Sequence, residues 1–308
     1  MKKSFQKSLI AASVGAVMFA AVGTASANSL LFPYFTTNSG AQSVLSLSNT
    51  GTAPVTQALH YVYNYGPTCT HFDANGSLTA NDVLSHSIAS TAAGGFGKVV
   101  GSDTSVPVFF PLANQTGFLV VSSKSTASTD ALRGSMAIVD PATGLVVSYP
   151  GIDNAAPTKG ANGANGEGDY SAIADVNFPL TAVPAAIVGT SWFAVVVGNM
   201  GPVIGLGQDW KGGGTFTNNG NIYNNDEVAF SGTQTKAVVC QGTVLPTDLA
   251  TAAKAAAVGS NGGLVQATLG SLSGGATGVI MTKIQTVLPV VGAPFAGKQF
   301  LHREQAGL

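Results

Sequence analysis

The side chains that could bind a metal ion or transfer a proton are few, and the candidates fall in three stretches of the chain. A metal-site hypothesis selects seven residues: His71, Asp73 and His86 in the first stretch, Glu167 and Asp169 in the second, and Asp226 and Glu227 in the third. Zinc requires ligands that converge at about 2.0–2.3 Å, and the wide separation of His71 from His86 is not a recognised ligand spacing. Surface or core histidines are therefore the alternative interpretation of the first stretch.

The second and third stretches are candidates for calcium, because each lies beside a loop rich in glycine and asparagine. Calcium takes about six to eight oxygen ligands, which flexible loops supply from carboxylates, amides and backbone carbonyls. Solvated loops that bind no ion are the alternative. Calcium is the one cofactor that the sequence leaves open, and no other is indicated.

Aromatic residues offer a second kind of chemistry. Tyr61, Tyr63 and Tyr65 alternate along an expected strand, so they share one face of a sheet. Together with Trp192 and Trp210 they are candidates for a surface that stacks on sugars or on another small ligand. Packing against neighbouring strands is the alternative use of the same rings.

The sequence contains two cysteines, Cys69 and Cys240. In an oxidising compartment two cysteines most simply form one disulfide, and this pairing is predicted here. Two buried thiols are the alternative.

Catalytic signatures are missing from the sequence. It contains no G-x-S-x-G elbow, no H-E-x-x-H pair and no P-loop. A glycosidase needs two carboxyl groups about 5–10 Å apart, and nothing in the sequence brings Asp169 close to Asp226 or Glu227. We therefore expect that the protein is not an enzyme.

The N-terminus has the three parts of a secretory signal. These parts are the basic residues Lys2, Lys3 and Lys7, an apolar stretch over residues 9–22, and the small residues Ala25, Ser26 and Ala27. The apolar stretch is shorter than the roughly 20 residues that span a bilayer. The sequence therefore predicts cleavage after Ala27, no transmembrane anchor, and a mature chain of residues 28–308. We expect this chain to be secreted, periplasmic or on the surface of a bacterium.

Charge excludes one class of partner. The chain has 13 basic and 14 acidic residues, and without the three lysines of the signal it has 10 basic residues and a net charge of −4. Nucleic-acid binding depends on a basic excess that neutralises phosphates, so nucleic acid is not an expected partner.

Beyond the signal, short apolar segments alternate with glycine, asparagine, serine and proline. This pattern predicts a mainly β fold, an antiparallel β-sandwich or barrel-like domain. Residues 42–49 and 55–65 predict a hairpin, and one or two short helices are expected near 80–90 and 247–258. We expect a single domain over residues 28–308, with a split into two β halves near 155–168 as the alternative.

Three functions follow as expectations, in order of preference. The first is an exported, non-enzymatic structural protein of the cell surface or extracellular matrix that associates with itself. The second is a β-sandwich module that binds carbohydrate, such as surface glycans, or a small ligand through the five aromatic residues. The third is a secreted hydrolase.

Overall fold

The computed structural model describes residues 29–38, 41–50, 57–89, 114–123, 132–140, 145–153, 168–200, 210–230, 234–287 and 299–304. These residues form eighteen strands: β1 Ser29–Thr36, β2 Gln42–Asn49, β3 Gln57–Tyr65, β4 Thr70–Leu78, β5 Val83–Ala89, β6 Thr116–Ser123, β7 Leu132–Asp140, β8 Leu145–Pro150, β9 Ile152–Asp153, β10 Asn177–Ala182, β11 Val188–Gly198, β12 Gly213–Asn224, β13 Ala229–Phe230, β14 Thr235–Val239, β15 Gln241–Val244, β16 Gly263–Ser273, β17 Ala276–Val287 and β18 Gln299–Glu304. They also form two short helices, α1 Pro246–Leu249 and α2 Ala252–Asn261.

The strands form three sheets, in which every pairing of named strands is antiparallel. Sheet 1 has the order β4-β3-β6-β1-β9, and sheet 2 has the order β5-β2-β7-β8. Sheet 3 has the order β10-β16-β12-β14-β15-β11-β17-β18, and β13 pairs with β12. The predicted fold class, a mainly antiparallel β fold with few helices, is confirmed.

Sheet 1 packs against both other sheets, which explains why all eight residues of β1 are buried. The ring of Tyr34 in β1 meets the ring of Phe193 in sheet 3 edge-on, at 5.1 Å between centroids. Tyr63 of β3 lies on the other side, where its hydroxyl reaches His86 of sheet 2. A strand that is buried on both faces usually has a nearly continuous run of apolar residues in its sequence, and β1 has such a run.

Sheet 3 curls until its first strand approaches β17. Asp175, just before β10, forms a bridge with Val279 of β17. Farther along, Nζ of Lys283 donates to Oγ1 of Thr181 at 2.7 Å. The apolar interior of this curl contains Trp192 and Phe216, together with Leu249 and Val258 from the two helices.

Two local predictions were wrong. Residues 83–89 form strand β5 and not a helix, because Leu84, His86 and Ile88 are buried at a period of two. Residues 42–49 and 57–65 do not pair with each other, since β2 belongs to sheet 2 and β3 to sheet 1. The helical prediction near 247–258 is confirmed, and the region is divided into α1 and α2. The side-chain amide of Asn218 donates to the Leu249 carbonyl where α1 ends.

The predicted signal at residues 1–27 lies outside the described residues, as does nearly all of the alternative domain boundary at 155–168. The division into domains and the cleavage after Ala27 stay predictions. Within the described residues, no helix is both long enough and apolar enough to cross a membrane.

Candidate functional site

The three tyrosines selected for stacking lie at one face of sheet 1. Tyr61 and Tyr63 have no exposed surface, and Tyr65 is half-buried. The ring of Tyr61 meets the imidazole of His86 edge-on at 5.6 Å, and the ring of Phe35 meets that of Tyr63 at 5.9 Å. Burial raises the pKa of Tyr63 well above its ordinary value. Tyr61 and Tyr63 are therefore core residues that offer no surface to a ligand in solution.

The two tryptophans are also buried. Trp192 lies fully inside the curl of sheet 3, and Trp210 retains 7% of its surface. Nε1 of Trp210 donates to the backbone carbonyl of Val196 at 2.8 Å. The five aromatic residues therefore do not form a common exposed platform, and only Tyr65 is partly accessible.

The predicted disulfide between Cys69 and Cys240 is confirmed, and it is buried. It joins the turn between β3 and β4 in sheet 1 to the residue between β14 and β15 in sheet 3. The carbonyl oxygen of Trp210 lies 3.2 Å from Sγ of Cys69 and 2.9 Å from Sγ of Cys240. Next to the bond, Nε2 of Gln241 donates to the carbonyls of Gly66 and Thr116. This region ties two sheets together.

Two of the candidate metal ligands meet on β4. Nε2 of His71 lies 3.4 Å from Oδ2 of Asp73, and Nε2 of His60 on the neighbouring strand lies 3.5 Å from Oδ1. Sequence analysis did not select His60. The signal that could have found it is the strand pairing, which places His60 opposite Asn75 and so beside Asp73.

His86 lies apart from this cluster, buried in the core between sheets 1 and 2. Its Nε2 is 3.1 Å from the hydroxyl of Tyr63, and burial lowers the pKa of His86 to about 3. The imidazole is consequently neutral at pH 7. It acts in the core as a packed ring with a polar contact to Tyr63 of the neighbouring sheet.

The remaining candidate ligands are scattered. Glu167 lies outside the described residues, and Oδ1 of Asp169 accepts the backbone N–H of Ser171. Asp226 and Glu227 lie in an exposed turn, where Oδ2 of Asp226 accepts from the side-chain amide of Asn261 at 3.0 Å. Within the described ranges, no group of three or more His, Cys, Asp or Glu residues could hold a metal ion. Calcium binding stays a prediction.

Strands β4 and β5 form a surface feature with potential for binding. The two strands are consecutive, but among the described residues β4 is the outermost strand of sheet 1 and β5 is the outermost strand of sheet 2. Asp82 stabilises the corner between them, because its carboxylate accepts from Oγ1 of Thr79 at 2.9 Å and from the N–H of Val83 at 2.8 Å. Within the described ranges, the two sheets thus end side by side, one at β4 and the other at β5.

These two edges carry almost no charge. Asp73 is the only Asp, Glu, Lys or Arg residue in β4 or β5. Other outermost strands have features that block further pairing: β9 has two residues, β10 contains Pro179, β8 ends at Pro150, and β18 contains Arg303 and Glu304. Short length, proline and charge are the usual means by which proteins protect a sheet edge. In β4 and β5, the charge of Asp73 is the only one of these protective features.

A scan of protein-family models found no match to the chain, and searches of curated proteins and of solved structures also found none.

Proposed function

We propose that the protein is an exported, non-enzymatic structural protein of the cell surface or extracellular matrix that associates with copies of itself. The observation that carries the proposal is the pair of nearly uncharged strands, β4 and β5, which are the outermost strands of their sheets among the described residues.

The physical basis is the hydrogen bonding of a sheet edge. An outermost strand has backbone N–H and C=O groups that point away from its sheet, and another strand can pair with them. Charged side chains would oppose this pairing by repulsion and desolvation. With Asp73 as the single charge on both strands, little opposes the approach of a second, equally uncharged edge.

Export draws its support from the signal-like N-terminus and from the disulfide. A disulfide persists in oxidising compartments, which include the periplasm and the cell exterior. The Cys69–Cys240 bond is consistent with such a location.

The experiment is a measurement of mass against concentration for the protein that begins at residue 28, by size-exclusion chromatography with light scattering, followed by electron microscopy. We expect oligomers whose share rises with concentration. A protein that stays monomeric at every concentration contradicts the proposal.

Matched variants test whether β4 and β5 carry the association. The double variant Ser77→Lys/Val83→Lys places one lysine on each edge strand and should shift the protein toward monomer. The control Val239→Lys/Thr243→Lys places two lysines at exposed positions of β14 and β15, which are interior strands of sheet 3. Equal loss of association in both double variants would show that net charge, and not the edges, governs it.

A further inference from the structure

The loop between β10 and β11 presents an apolar surface. It consists of Val183, Pro184, Ala185, Ala186 and Ile187, and none of these side chains is polar. We infer that this apolar loop inserts into the surface of a lipid bilayer and holds the protein at a membrane. The inference rests on the cell-surface location in the function proposed above, and it adds a lipid surface as a partner.

The apolar loop is exposed, although its residue types usually pack inside proteins. Ile187 exposes 62% of its surface and Val183 exposes 37%, and Ala185 and Ala186 are exposed as well. Turns between strands usually carry glycine, asparagine, aspartate or serine, and this loop has none of them. Single exposed apolar residues are common, whereas a contiguous exposed apolar patch is typical of a protein or membrane interaction site.

The backbone of the loop is suited to an apolar environment. The N–H groups of Ile187 and Val188 donate to the carbonyl of Pro184 at 2.9 and 3.0 Å, and the N–H group of Ala185 donates to the carbonyl of Gly259 in α2 at 2.7 Å. Pro184 itself has no N–H group. Since a backbone donor without a partner is costly in hydrocarbon, these bonds lower the free energy needed to move the loop out of water.

The loop is also held in place against the end of α2. Gly262 follows this helix with a φ of 77°, and a Cβ atom there would lie only 3.0 Å from Cδ of Pro184. This close approach and the hydrogen bond from Ala185 to Gly259 fix the loop before it meets a membrane. A loop that is already ordered loses little conformational entropy when it docks.

The size of the loop distinguishes a lipid surface from a second protein. A stable interface between two proteins usually involves about 20–30 residues on each side. The apolar loop supplies five, which is too few for a stable contact with a second copy through this surface alone. Binding to a bilayer needs no complementary shape, and it strengthens with each apolar group that enters the boundary between headgroups and acyl chains.

The charges beside the loop indicate which lipid it would accept. Nζ of Lys283 lies 2.7 Å from Oγ1 of Thr181, just before the loop. The exposed turn with Asp226 and Glu227 also lies near, because Oδ2 of Asp226 accepts from Asn261 at the end of α2. One lysine and two carboxylates give no basic excess, so anionic lipid would exert no net attraction. The lipid surface that fits is therefore zwitterionic.

The test measures the binding of the protein that begins at residue 28 to phosphatidylcholine vesicles, by flotation at low and at high salt. We expect the wild type to float with the vesicles at both salt concentrations. Together Val183 and Ile187 expose about as much surface as one whole aliphatic side chain. Val183→Ser/Ile187→Ser should therefore lower the partition coefficient by about 10- to 100-fold.

A matched control removes apolar surface at the opposite end of sheet 3. Ala182, next to the loop, pairs with the first residue of β16, and Leu272 lies near the last. Val239 is at the same end as Leu272, because Gly213 pairs with both Val239 and Ser273. Leu272 exposes 39% of its surface and Val239 exposes 46%. Val239→Ser/Leu272→Ser should retain wild-type binding, and equal loss in both double variants would overturn the inference.

A tryptophan placed in the loop gives a second measurement. The emission of Ile187→Trp should shift to shorter wavelength when vesicles are added, because an indole at the membrane interface leaves bulk water. Leu272→Trp should show no shift, and the emission of the wild type should not change, since both native indoles are buried. If Ile187→Trp shows no shift at any lipid concentration, the inference is wrong.

Light scattering without lipid separates this inference from self-association. Oligomers that do not bind vesicles overturn the lipid surface and leave self-association standing, and a monomer that binds vesicles through the loop does the reverse. If Val183→Ser/Ile187→Ser dissociates the oligomers in the absence of lipid, the loop contacts a second copy and the inference is overturned. Binding that requires anionic vesicles and is lost at high salt would be electrostatic, and it would overturn the inference as well. Thermal unfolding of each variant shows whether it is folded.

Discussion

The hydroxyl of Tyr63 lies 3.1 Å from Nε2 of His86, inside the core between sheets 1 and 2. Tyr63 lies on β3, next to β4 in sheet 1, and His86 lies on β5 of sheet 2. The contact therefore holds together the two sheets that end, within the described residues, at β4 and β5. Because both residues are buried, the imidazole is held in its neutral form.

Acid is expected to destabilise the fold through His86. Its pKa is lowered to about 3 in the folded protein, against about 6.5 in an unfolded chain, so the unfolded state binds more protons between these values. Stability should therefore fall as the pH drops below 6.5, by up to about 1.4 kcal/mol per pH unit from this residue, and the fall should end near pH 3. Urea unfolding of the wild type and of His86→Gln, at pH 7 and pH 5, measures the difference. His86→Gln should lose less stability than the wild type between the two pH values, and equal losses would contradict the prediction.

Reduction of the disulfide is expected to lower the free energy of unfolding by about 2–5 kcal/mol, because the bond closes a long loop. The two cysteines are 171 residues apart. Urea midpoints with and without dithiothreitol measure the effect, with time allowed for the buried bond to be reduced. The double variant Cys69→Ser/Cys240→Ser should resemble the reduced protein and should not respond to dithiothreitol.

Tryptophan fluorescence is expected to be nearly insensitive to quenching by acrylamide, because both indoles are buried. Addition of oligosaccharides should leave the emission spectrum unchanged. Strong quenching in the native protein, or an emission change with a sugar, would favour the stacking function instead.

Trp210→Phe should cost about 1–3 kcal/mol of stability, since it leaves the carbonyl of Val196 without its indole donor.

Gly117 is expected to tolerate no side chain. A Cβ atom at this position would overlap the carbonyl oxygen of Asn64 and approach the ring of Phe35 to 2.8 Å. Gly117→Ala should destabilise by about 1–3 kcal/mol or more, as overpacking does. The matched control is Gly270→Ala in β16, where no heavy atom lies within 4 Å of the added Cβ, and its effect should stay within about 0.5 kcal/mol. Thermal unfolding of both variants measures the contrast.

The helix prediction at 80–90 was wrong because its local pattern is compatible with two structures. Thr79 and Asp82 resemble the start of a capped helix, and their side chains do form hydrogen bonds there. These bonds stabilise a corner between two strands instead. In the residues that follow, Leu84, His86 and Ile88 are buried on one face of β5. This alternation is typical of a strand, and it is favourable only because the neighbouring sheet covers that face.

The group formed by His60, His71 and Asp73 shows a different limit of the sequence. His71 and Asp73 are two residues apart on one strand, so their proximity follows from the sequence. His60 joins them only because β3 and β4 pair in a register that sets His60 near Asp73. A sequence pattern does not predict the register between two strands unless the turn that connects them is also known.

The sequence by itself determined the β class of the fold and the partners of the disulfide. Both depend on local properties, since short alternating segments favour strands and two cysteines allow one pairing. Only the tertiary structure decided that Tyr61 and Tyr63 are core residues and that β4 and β5 are outermost strands. The physical reason is that a period of two shows which side chains share a face of a strand. It does not show which sheet covers that face, or which strand ends the sheet.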